Sequence, residues 1–128
     1  MTTDSPMALV VDDSPVLALQ LQRQLQSLRM RVRTVINASA LDAATVLDTA
    51  AASVIFVDVQ LLHGNGFAIA RRIAMAPCPV VLISGTGRST DIQWGRGTGA
   101  AAVLSRPVHT AQLRVLLQSL QLPAGAPP

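Results

Sequence analysis

The chain has no lysine, no glutamate and no tyrosine, and its sole cysteine is Cys78. Its seven acids are therefore all aspartates and its ten cations all arginines. With neither lysine nor tyrosine to titrate, the sequence pI of 11.1 overstates the basicity, and the useful figure is a net charge of +3. A single cysteine excludes an internal disulfide and points to a reducing compartment. Held between Pro77 and Pro79, Cys78 reads as a small apolar filler, because no base is suggested beside it. Aromatic residues make up 2% and charged residues 13% of the 128 positions, the latter about half the usual charged share of soluble domains. No apolar run approaches the ~20 residues needed to cross a bilayer, and no signal peptide opens the chain, so a cytoplasmic protein with no membrane partner is expected. Arg29, Arg31 and Arg33 alternate along a short run. At this modest net charge they read as decoration of an edge strand, and no direct nucleic-acid binding is expected.

Against that background, the placement of the aspartates stands out. Ser53 to Asp58 is an uncharged, strand-preferring run that ends on a carboxylate, the pattern of a buried central strand of a parallel sheet. Ala8 to Val11 stops at Asp12-Asp13, and Pro79 to Ile83 stops at Ser84. Arg31 to Ile36 and Ala101 to Ser105 supply two more strands. Helical signals fall between them. Ser14-Pro15 is a cap with proline at the first helical position, followed by Leu17, Leu21, Leu25 and Leu28 at helical spacing. Ser39 opens a second helix with Leu41, Ala44 and Leu47 inward, and Phe67, Ile69, Ala70 and Ile73 mark a third. The glycines between Gly85 and Gly99 weaken a fourth. His109 or Thr110 opens a fifth, with Leu113, Leu116, Leu117 and Leu120 inward, while Val115 and Leu122 fall off that stripe. Residues 1–7 read as a disordered lead, 8–122 as one domain, and 123–128 as a tail or linker stub.

Five strands alternating with five helices predict an α/β, doubly wound parallel sheet of order 2-1-3-4-5. Its crevice then lies between the first and third strands, at the carboxyl edge where open sheets bind ligands. Asp12, Asp13 and Asp58 would meet there. Two unit charges ~4 Å apart at an effective dielectric of about 20 repel by around 4 kcal/mol, so a cation is required. Carboxylate and carbonyl ligands without a His or Cys cluster favour a hard divalent ion such as magnesium, whose usual partner is a phosphoryl group. An aspartate can itself be the nucleophile of phosphoryl transfer, giving an acyl phosphate.

Asp12-Asp13 after the first strand, Asp58 after the third, Ser84-Gly85 after the fourth and Arg106-Pro107 after the fifth resemble the receiver domain of two-component response regulators. The resemblance covers roughly residues 7 to 121. It implies a flavodoxin-like fold and a signalling module, not an enzyme, in which Asp58 accepts a phosphoryl group from a histidine kinase or phosphotransfer partner. It further implies that Asp12, Asp13, Asp58 and the Gln60 carbonyl hold Mg2+ (or Mn2+), with Asp12 reaching it through water. Ser84 would hydrogen-bond the phosphoryl oxygen, and Gly85 would leave it room. Receivers ordinarily carry lysine where this chain has Arg106, an aromatic switch residue where it has Val103, and proline where it has Leu62. These departures favour an alternative, a phosphorylation-independent pseudo-receiver that acts by protein contact. A magnesium-dependent phosphatase is a third reading, opposed by Gln60 standing where a second acid would be needed. A homodimer or effector surface is expected on the fourth helix, fifth strand and fifth helix, with Val103, Val115, Leu122 and Trp94 as its apolar part. Trp94 fits a core anchor equally well. His63 and His109 read as solvated surface residues, and Gly85-Thr86-Gly87 as a simple strand-to-helix turn.

Overall fold

The computed structural model describes residues 6–35, 52–58, 78–85 and 100–122. The second, third and fourth predicted helices, with Gln60, His63 and Trp94, lie outside these residues, as do most of the predicted lead and the tail.

Strands β1 (Met7–Val11), β2 (Arg31–Val35), β3 (Val54–Asp58), β4 (Val80–Ser84) and β5 (Ala102–Ser105) form one sheet of order β2-β1-β3-β4-β5, every neighbouring pair parallel. The order and direction are those expected from the alternation of strands and helices along the sequence. β3 and β4 are buried along their whole length, as runs of Val, Ile, Leu and Phe must be when both faces of a parallel strand are covered. β2 and β5 are the edges and are only half-buried, and Arg31 and Arg33 belong to the β2 edge as expected.

Alternation along the strands sends side chains into two cores. Ala8, Val10, Val54, Phe56, Val81 and Ile83 share one face with the buried side chains of α1 (Pro15–Ser27) and α2 (Thr110–Ser119). Leu9, Val11, Ile55, Val57, Val80 and Leu82 occupy the other, with Val103 and Cys78 packed at its margin.

Helix α1 starts where the sequence predicts. The Ser14 hydroxyl accepts the Leu17 N–H at 3.3 Å, and Pro15 occupies the first turn, where a missing donor costs nothing. Ala18, Leu21 and Leu25 point inward, whereas Leu17 is only half-buried. In α2, Leu113 and Leu117 are fully buried, Leu116 and Leu120 partly so, and Val115 stays exposed. The predicted apolar patch requires one correction. Leu122 is not free surface: its N–H donates to the Leu117 carbonyl at 2.9 Å, turning the chain back so that its side chain packs on the core. Both helices end with a residue in the left-handed region, Arg29 at φ 63° and Gln121 at φ 61°. In each, a 6→1 hydrogen bond closes the end: Met30 N–H to Leu25 O at 3.2 Å and Leu122 N–H to Leu117 O at 2.9 Å.

Candidate functional site

Strand register builds the site. Val11 pairs with Val57, so Asp12, one residue on, stands level with Asp58 at the end of β3. Asp58 pairs with Ile83, and Ser84 pairs with Ser105, which places Ser84 and then Arg106 one step further along the same rim. Two backbone bonds prolong the ladders here: Asp12 N–H to Val35 O at 3.0 Å and Arg106 N–H to Ser84 O at 2.9 Å. Four segments far apart in sequence therefore deliver two carboxylates, a hydroxyl and a guanidinium to one edge of the sheet.

Asp12, Asp58 and Ser84 are buried, at 3%, 8% and 1% exposure. Asp13, next along the chain, is exposed. Asp12 is held on both oxygens: Oδ1 accepts the Ser14 N–H at 2.9 Å and Oδ2 accepts Arg106 Nη2 at 2.7 Å. The other end of the same guanidinium, Nη1, stands 3.7 Å from Asp58 Oδ1. Arg106 thus bridges the two acids. Burial pushes the Asp12 carboxyl above its ordinary 3.8, and the Asp58 charge adds to the rise. The Ser14 N–H and the Arg106 charge oppose it.

The charge compensation that repulsion demands is thus present in the protein itself. A planar fork suits this task, since it can address two carboxylates at once where an ammonium is a point charge. The oxygen donors of Asp12, Asp13 and Asp58 also suit a hard divalent ion. Among the described residues, no group of three Asp, Glu, His or Cys side chains is gathered closely enough to hold one. Arg106 occupies Asp12 Oδ2 in this arrangement.

Of the expected site residues, Asp12, Asp58, Ser84 and Arg106 come together, Asp13 lies at the exposed margin, and Gln60 lies outside the described residues. Sequence reasoning missed which acid Arg106 takes. It also missed Gln24 of α1, whose Nε2 donates to the Val108 carbonyl at 2.7 Å. Nothing in a helix rich in glutamine marked that one.

Comparison with known proteins agrees with this geometry. The family model described as the response regulator receiver domain matches residues 8–118. The sensor histidine kinase RcsC of Salmonella typhimurium is 31% identical over 121 residues, covering 93% of this chain but only 12% of the kinase. The protein PilH of Pseudomonas aeruginosa is 27% identical over 109 residues, covering 82% of this chain and 88% of PilH. Among solved structures, a response regulator receiver protein from Burkholderia phymatum superposes with a TM-score of 0.79 at 24% identity, covering 94% of this chain and 98% of that one.

Proposed function

The chain belongs to the response regulator receiver domain family, and from that premise we propose that Asp58 is its phosphoacceptor. Receivers are signalling modules that exchange phosphoryl groups with histidine kinases or phosphotransfer proteins and carry them on an aspartate. One observation supports Asp58 above Asp12, the other buried acid of the rim: Asp12 is held on both oxygens, by the Ser14 N–H at 2.9 Å and by Arg106 at 2.7 Å, whereas Asp58 ends the central strand β3 with Arg106 Nη1 at 3.7 Å.

In the proposed transfer, an Asp58 carboxylate oxygen attacks the phosphorus of a phosphohistidine. The P–N bond breaks as the P–O bond forms, and the imidazole leaves with the bonding pair and takes up a proton. Arg106, released from Asp12, would pair with the new phosphoryl oxygens, and the Ser84 hydroxyl would donate to one of them. Receiver domains hold magnesium at the acidic pocket. Here Asp13, Asp58 and the Gln60 carbonyl would be its ligands, with Asp12 reaching it through water, and when bound it would neutralise the charge that spreads over the transferring group. Phosphorylation adds about −1.5 to −2 charge beside Arg106. The β5 edge and α2, with Val115 exposed at 64%, would present the change to an effector or a second copy.

The phosphorylation-independent reading is supported by the 2.7 Å Arg106–Asp12 pair and by Val103, half-buried in β5 without an aromatic ring. Incubation with a small phosphodonor and magnesium, followed by intact mass, separates the two readings. One added phosphate, absent from Asp58→Asn, is the expected result; no adduct on a chain that still binds its partner would favour the second reading.

A further inference from the structure

Gln24 sits on the half-buried side of α1, remote in sequence from the segment that it grips. Its Nε2 donates to the Val108 carbonyl at 2.7 Å and reaches Thr110 Oγ1 at 3.4 Å, across 84 and 86 residues. The 106–108 segment that leads into those contacts begins with Arg106. Its upstream end is fixed to β4 by the Arg106 N–H bond to Ser84 O at 2.9 Å. Its downstream end is fixed to α1 by Gln24. From the upstream end, the Arg106 side chain crosses back to Asp12 at the end of β1.

Between this segment and α1 lies a groove of about 330 Å³, lined among others by Leu21, Gln24, Ile83, Arg106, Pro107 and Val108. A segment beside such a groove has room to shift once its anchor is gone, and a guanidinium that meets its acid at 2.7 Å cannot follow far without losing the bond. We propose that Gln24 is the positioning residue for Arg106: its amide holds the 106–108 segment against α1 so that the guanidinium spans Asp12 and Asp58. Gln24 touches neither carboxylate and acts through the backbone of Val108. Its effect on phosphate chemistry rests on the reading of Asp58 as phosphoacceptor; its effect on the posture of Arg106 does not.

Gln24→Met keeps the length and nearly the volume of the side chain while removing its donor. In the 15N-labelled chain, the two η nitrogens of Arg106, assigned by their loss in Arg106→Gln, should give separate signals, because pairing slows rotation of the guanidinium. In Gln24→Met they should merge. The lifetime of the Asp58 acyl phosphate should change by roughly two- to tenfold in Gln24→Met, the worth of one hydrogen bond. Adding Gln24→Met to Arg106→Gln should change it no further. Separate signals that persist in Gln24→Met, or effects of the two substitutions that multiply independently, would overturn the assignment. Merged signals in a chain that takes no phosphate would leave Gln24 its positioning role and remove Asp58 as acceptor.

Discussion

Arg106→Gln removes the guanidinium and leaves Asp12 and Asp58 facing each other, both buried and with no cation from this side chain between them. The Arg106 side chain is 20% exposed and that of Asp12 4%, so the pair is neither a surface bridge, worth ~0–1 kcal/mol, nor a fully dry one, where removing one partner costs ~3–5 kcal/mol. A charge-assisted hydrogen bond of about 1.5–3 kcal/mol is the appropriate scale. For a chain of 128 residues, at roughly 4 °C per kcal/mol, this is a fall in Tm of about 6–12 °C. The assay is thermal unfolding by circular dichroism in EDTA, repeated with excess magnesium, on wild type, Arg106→Gln, Asp12→Asn and the double variant. In EDTA the double variant should lose less than the sum of the singles, since each single leaves the other partner stranded. Magnesium should raise the Tm of Arg106→Gln by more than that of wild type, where the guanidinium already compensates the acids. An Arg106→Gln Tm unchanged in EDTA, or strict additivity with Asp12→Asn, would refute the bridging role.

Three further outcomes follow from the local geometry. Arg29 and Gln121 hold left-handed conformations that cost L-residues ~1–2 kcal/mol and glycine little, so Arg29→Gly and Gln121→Gly should each raise stability, by about 0.5–1 kcal/mol after the added chain entropy, in urea titrations. Ser14→Ala should lose ~1 kcal/mol with the cap of α1, and Ser14→Gly only a few tenths, measured the same way. Burial raises the Cys78 thiol above its ordinary 9.0, so alkylation near pH 8 should be slower than in the urea-unfolded chain. The sign for stability is the matching one. The unfolded thiol ionises first as pH rises past 9.0, so Cys78 contributes most below that pH and loses its contribution as pH climbs through the raised folded value, a slope that Cys78→Ala should remove.

Much of this was legible in the residues. Strands without charge that stop on an acid or a serine declared both their burial and their functional end, and topology rules then put Asp12 beside Asp58. What the sequence could not express was side-chain choice at the rim. Arg106 had two acids within reach, and it meets Asp12 at 2.7 Å and Asp58 at 3.7 Å, a difference with no sequence signature. Gln24 was invisible for a different reason: many glutamines line α1, and only the path of the 106–110 segment selects one. Leu122 misled because helical periodicity ceases to apply once a left-handed residue turns the chain, and the reversal at Gln121 brings it back to the core.

The interior position of β1 also governs how the molecule comes into being. It is the first of the five strands to be synthesised, yet it lies between β2 and β3, so its second flank stays open until the polypeptide has grown as far as Asp58. Every parallel pairing is non-local, which places nucleation late and makes folding slow for a domain of this size. A nascent chain arrested before Val54 would display β1 with one flank unpaired, the kind of apolar edge that recruits chaperones or other copies of itself.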